Sequence, residues 1–172
     1  MKEPTSPEEL LAFHQFRHAQ PQRFLEIVTE WLRQNPRNAD AYFNRHFVWT
    51  DLGEPRRALD DLDQVIVLAP TQGAFCARGR VHRQLGKHEA ALADFQRGEA
   101  IDPQEWKDAW ITLLYEADSH ARLGDEASAL ACCARLPDNF WTPGLDGAPA
   151  GGKAEVAEEL RRVAVAARNK RV

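Results

Sequence analysis

The chain has 172 residues, 44% hydrophobic and 28% charged, with 22 Lys and Arg against 26 Asp and Glu for a formal charge of −4. That composition carries enough apolar material for a packed core and excludes a disordered tail protein. It lacks the basic excess of a nucleic-acid binder, and no apolar run approaches the ~18 residues of a membrane span, so neither partner is expected. The start, Met1-Lys2-Glu3-Pro4, has no apolar stretch of the signal-peptide kind. Three cysteines, Cys76, Cys132 and Cys133, are an odd number without a C-x-x-C spacing. A reducing, cytoplasmic setting therefore fits better than a disulfide framework.

In chain order, the first helical pattern runs from Pro7 to Ala19, with Thr5 or Ser6 as its cap and Glu8 and Glu9 in its acidic first turn. The second, Pro21 to Gln34, places Phe24, Leu25, Val28, Trp31 and Leu32 at i, i+1, i+4, i+7 and i+8, a helix period. Pro36 closes it. Three segments then repeat one grammar. An apolar-periodic stretch ends in Leu-Gly, a short turn follows, and Ala-Leu opens a second periodic stretch. The Leu-Gly pairs are Leu52-Gly53, Leu85-Gly86 and Leu123-Gly124, and the Ala-Leu pairs are Ala58-Leu59, Ala91-Leu92 and Ala129-Leu130. Pro70 and Pro103 stop the first two units, and their separation equals that of Gly53 and Gly86. Glycine there tolerates the left-handed backbone that ends a helix, and the small alanines let two antiparallel helices approach closely. The third unit is stretched, because Pro103 stands farther ahead of Gly124 than Pro70 does ahead of Gly86. Its first helix is therefore expected to be about one turn longer, starting near Gln104–Lys107. Residues 138–152 hold four glycines and two prolines and are expected to form an irregular loop. A last helix, Lys153 to about Arg168, shows Val156, Leu160, Val163 and Ala167 on one face.

With Tyr42, Gly53, Ala58, Leu62 and Pro70 in one unit and Phe75, Gly79, Gly86, Ala91, Phe95 and Pro103 in the next, the sequence resembles the tetratricopeptide-repeat (TPR) family, whose helix–turn–helix unit has about 34 residues. The departures are His46 and Gly98, at positions that are usually small and usually alanine. The resemblance implies an all-α, right-handed solenoid of antiparallel helical hairpins. It would comprise a degenerate N-terminal pair (1–37), three repeats (38–137), a Gly/Pro-rich loop (138–152) and a C-terminal capping helix (153–172). It also implies a non-catalytic protein-binding module: a cytosolic adaptor, a co-chaperone, or a chaperone like the helical-repeat chaperones of bacterial secretion systems.

Carried onto matching positions, the family's groove would be lined by Phe43, Asn44, Phe47 and Asp51, then by Cys76, Ala77, Arg80, Arg83 and Gln84. Leu114, Tyr115, Asp118 and Arg122 would follow. The family's carboxylate clamp is not matched, because Phe43, Phe47, Ala77, Ile111 and Tyr115 stand at its positions. The implied partner is a peptide or protein segment with apolar anchors and an acidic residue facing Arg80 or Arg83. Phe140 and Trp141 either dock as a lid or form a second contact site, with docking favoured because an exposed Trp forfeits about 2 kcal/mol of burial.

Chemistry-bearing motifs are thin. Gly147 to Lys153 matches G-x-x-x-x-G-K, but Ala154 replaces the hydroxyl residue and Pro149 removes an N–H, which favours a linker over a phosphate loop. His14 and His18 share a helix face at i, i+4 without an evident third ligand. Asp60, Asp61 and Asp63, with Arg56 and Arg57 nearby, suggest a solvated, salt-bridged face. No cofactor or metal is expected. The alternative is a small metal-dependent hydrolase using His14 and His18 or the glycine loop.

Overall fold

A computed structural model describes residues 7–101, 110–144 and 147–170; for residues 7–11 and His14 it describes the backbone alone. The expected start of the long third-unit helix near Gln104–Lys107 lies outside the described residues. The rest is all-α. The chain divides into two compact units, Met1–Pro70 and Thr71–Val172.

The first unit holds α1 (Pro7–Ala19), α2 (Pro21–Gln34), α3 (Ala39–Asp51) and α4 (Pro55–Leu68). Pro21 and Pro55 open their helices where a missing N–H is tolerated. Asn38 caps α3 by accepting from the Ala41 N–H. The expected α2 period is realised: Phe24, Val28 and Leu32 are buried with Phe13 of α1 and with Ala41 and Val48 of α3. Phe13 stands 4.5 Å from the Phe24 ring and stacks on Trp31 at 5.5 Å, so aromatic bulk fills this N-terminal pair.

The second unit holds α5 (Gln72–Gln84), α6 (His88–Ile101), α7 (Trp110–Arg122), α8 (Glu126–Ala134) and α9 (Lys153–Asn169). Thr71 caps α5 as Asn38 caps α3, at the same place in the repeat. The segment expected to be an irregular loop contains a short antiparallel ladder, β1 (Trp141–Thr142) with β2 (Gly151–Gly152). Thr142 of the ladder is fully buried, and its partner Gly151 sits at φ +112°, a backbone conformation that favours glycine. Helix α9 packs on both α7 and α8. Val156, Leu160 and Ala164 are buried there in one core with Leu113, Tyr115 and Cys133.

The three hairpin turns are built alike. Gly53, Gly86 and Gly124 sit at φ between +71° and +80°. The N–H of the residue after each reaches back one helical turn and more, from Glu54 to Trp49, Lys87 to His82 and Asp125 to His120. A side chain at this φ is strained, so these glycines set the repeat. Ala58, Ala91 and Ala129 are completely buried at the helix crossings. Gly79 lets α6 come so close that a Cβ would lie 2.5 Å from Phe95 Cε1. Where Gly79 stands in one unit, His46 and Ala117 stand in the others. The Phe95 position is held there by the smaller Leu62 and Cys133.

One expectation is corrected here. Asp61 is not part of a solvated face shared with Arg56 and Arg57. It is buried and receives a two-point ion pair from Arg45 of α3, Nη2 to Oδ1 at 2.6 Å and Nε to Oδ2 at 2.9 Å. Arg57 instead lies over the Trp49 ring at 4.8 Å.

Candidate functional site

The Arg45–Asp61 pair recurs one repeat later as Arg78–Asp94, again two-point, with distances of 2.6 and 2.8 Å. Planar guanidinium on carboxylate ties the two helices of each hairpin in fixed register. Counting back from the turn glycine, the same positions in the third hairpin are Glu116 and Cys132. A carboxylate thus stands where the arginine should be. Its Oε2 lies 3.9 Å from Cys132 Sγ and 4.0 Å from Arg135 Nη1, and Arg135 is drawn off to Glu99 at 2.8 Å. Burial first, and repulsion from Glu99 second, raise the Glu116 carboxyl to about 7. Burial and the neighbouring Glu116 push the Cys132 thiol to about 12, and burial pushes Cys76 to about 11. At neutral pH these thiols are held in the protonated, weakly nucleophilic form.

The sequence-predicted groove residues fall into two groups. In the second unit, Asp118 is entirely buried and is held by Arg83 at 2.8 Å and Arg122 at 2.9 Å. Arg83 also lies over the Tyr115 ring at 4.4 Å, and Arg80 over the same ring at 5.7 Å. Tyr115, Asp118 and Arg83 are therefore internal, together with Leu114. The physical reason is the C-terminal segment, whose residues 147–150 and α9 lie against this end of α7. Arg122 donates to the Gly147 carbonyl at 3.1 Å. A cleft of ≈ 500 Å³ remains there, and its lining includes Asp118, Glu155, Glu158 and Glu159 alongside Arg122 and Arg162. Gln84 is exposed, while Cys76, Ala77 and Arg80 are half-buried.

In the first unit, Phe43, Phe47 and Asp51 follow one another at i, i+4 and i+8 along one stripe of α3. Both rings are half-buried and Asp51 is exposed. The Phe43 and Phe47 rings meet edge-on at 5.4 Å. Asn44, beside them, donates to the Asp40 carbonyl. His46 is buried against both rings, its Nδ1 on the Phe43 carbonyl. The stripe is met by α1. Arg17 Cζ stands 4.4 Å from the Phe47 ring centre, and His18 Nδ1 stands 3.9 Å from Asp51 Oδ2. Sequence reasoning assigned nothing to Arg17.

The aromatic pair of the loop splits. Phe140 docks, buried and edge-on to Trp110 at 5.5 Å, whereas Trp141 is 67% exposed.

The end of the glycine loop is already engaged within the chain. Gly151 and Gly152 are paired in β2, and Lys153 Nζ is committed to the Leu136 carbonyl at 2.7 Å and to Asp138 at 3.3 Å. The acidic lining of the adjacent cleft opposes an anion as well. The second half of the hydrolase alternative rests on His14, whose side chain lies outside the described residues. Among the described residues no group of three or more His, Cys, Asp and Glu is placed to hold a metal ion. No described helix is long and apolar enough to cross a membrane.

No known family model matches the chain. Over 110 residues it is 32% identical to the Hsp70-Hsp90 organizing protein of Triticum aestivum, a match covering 60% of this chain and 19% of that protein. The chain thus spans less than a fifth of the length of this curated relative. Among solved structures it is similar to MamA, with a TM-score of 0.68, 17% identity, and coverage of 92% of this chain and 85% of the other. It is also similar to a thermophilic TPR protein of Thermus thermophilus, with a TM-score of 0.60, 21% identity, and coverage of 97% and 84%.

Proposed function

For a chain that carries the tetratricopeptide-repeat fold, we propose a non-catalytic protein-binding module that takes a segment of a partner protein on the α3 stripe of its first unit. The observation that carries this reading is the Phe43–Phe47–Asp51 row. Two aromatic rings and a carboxylate line up on one helix face, half-exposed, while the core of the same unit is closed without them. Aromatic side chains on a rigid helix supply contact area at little entropic penalty, which is how interface anchors work. Asn44 stands beside the row as a hydrogen-bonding edge. The similarity to an Hsp70-Hsp90 organizing protein supports an adaptor or co-chaperone among the possible module types.

The acidic partner residue expected opposite Arg80 or Arg83 meets one guanidinium already bound to the chain's own Asp118 and one half-buried over the Tyr115 ring. The apolar anchors at Phe43 and Phe47 therefore bear the recognition in this reading. Trp141, exposed beside the buried Phe140, fits the second contact site expected at the loop.

Co-purification from the native host tests the assignment. Phe47→Ala with Asp51→Lys should release a stoichiometric partner that the Asp60→Lys control retains, with α2, α3 and α4 still protected in hydrogen exchange. A partner kept at full yield by the double variant refutes it.

A further inference from the structure

Arg17 is the most anomalous side chain of the first unit. It is 8% exposed, and its Nε and Nη1 are buried without a hydrogen-bond partner among the described residues. Its Nη2 reaches the ring nitrogen of His18, a group that can itself carry a proton, at 3.0 Å. What holds the guanidinium in place is the face of Phe47 and the charge of Asp51. Burial lowers its proton affinity and Asp51 offsets only part of that. A buried donor left without an acceptor destabilises the state that buries it. Phe13 seats α1 on Phe24 and Trp31 of α2, and its contact to α3 combines a favourable cation–π interaction with two N–H groups that meet no acceptor among the described residues.

Resting on the binding stripe assigned above, we propose that α1 is a displaceable occupant of that stripe, standing in for a partner helix that carries a Lys or Arg. The chemistry follows from complementarity. The Phe47 ring face and one exposed carboxylate accept a cation, as Arg17 sits over Phe47 and His18 beside Asp51 from within the chain. A partner cation that keeps its remaining donors in water fills the same place without the buried, unpaired N–H groups. An intramolecular cover with this built-in defect opens to a competitor that a perfectly satisfied one would exclude.

The test uses the full chain, a fluorescein-labelled synthetic peptide of residues 5–20, and hydrogen exchange of the α1 amides. Arg17→Glu sets a carboxylate against Asp51 and the ring face. It should speed α1 exchange at least tenfold, leave α3 and α4 protected, and tighten peptide binding at least tenfold. Arg17→Met keeps the stem on Phe47 and removes the unmet donors, so α1 exchange should slow at least threefold and the peptide should bind more weakly. Adding Asp51→Lys to Arg17→Glu should re-seat α1 and close the stripe to the peptide. Unchanged α1 exchange in Arg17→Glu overturns the cover. Released α1 with no gain in peptide binding overturns the cationic-helix ligand. A peptide that binds wild type and Arg17→Glu equally leaves the stripe a binding face and defeats this inference alone, because the co-purification result stands separately.

Discussion

Glu116→Gln isolates the third repeat hairpin, where Glu116 and Cys132 stand in place of the arginine–aspartate tie of the first two. In the folded chain Glu116 is 5% exposed and titrates at about 7, against an ordinary 4.5. The native state therefore binds this proton more tightly than the unfolded chain does. Between pH 4.5 and 7 it holds more protons than the unfolded state, so stability falls as pH rises through that window. At about 1.4 kcal/mol per tenfold in proton affinity, the full loss is on the order of 3 kcal/mol. The Cys132 thiol stays protonated throughout, since it titrates at about 12. Glutamine mimics the protonated acid and does not ionise. Urea unfolding of both proteins from pH 4.5 to 8.5 gives the difference directly, because every other titrating group is common to the two. The variant should match wild type at the acid end and exceed it by about 3 kcal/mol above pH 7.5. A difference that stays flat across the range refutes the burial argument.

Two further substitutions test the packing of the repeats. Gly79→Ala drives a methyl group into the fully buried Phe95 ring and should destabilise by about 1–3 kcal/mol. Phe95→Leu, the residue type the first hairpin has at that position, should recover part of the loss in a thermal melt. Asp94→Ala strips the half-buried Arg78 of its two-point partner and should lose about 3 kcal/mol in chemical denaturation. Asp60→Ala, on the exposed face of α4, should lose less than about 0.5 kcal/mol.

Much of this architecture was legible because it rests on local rules. Gly53, Gly86 and Gly124 needed a left-handed backbone, Ala58, Ala91 and Ala129 needed a close crossing, and both requirements show directly as residue type at a fixed period. The N-terminal pair was legible from the period of Phe24, Val28 and Leu32. Charge was harder to read. Asp61 looked solvated beside Arg56 and Arg57 because helix neighbours at i, i+4 are what a sequence displays, whereas its partner Arg45 belongs to the preceding helix. The signal existed, since Arg45–Asp61 and Arg78–Asp94 are offset by one repeat, but only a known hairpin geometry makes the spacing within each pair meaningful. The groove residues of the second unit were read on the family's pattern. That pattern does not contain the segment 147–170, which closes over Tyr115 and Asp118. Arg17 had no sequence signal at all: one arginine at a helix end is ordinary until the ring of Phe47 is found beneath it.

Photocrosslinking in the native host tests the central claim most directly. A benzophenone amino acid placed singly at Phe43 or Phe47, with Asp60 as the control, reports what touches the α3 stripe. The account predicts one discrete crosslinked protein from positions 43 and 47 and none from position 60. Equal labelling from all three positions, or none from 43 and 47, would contradict it.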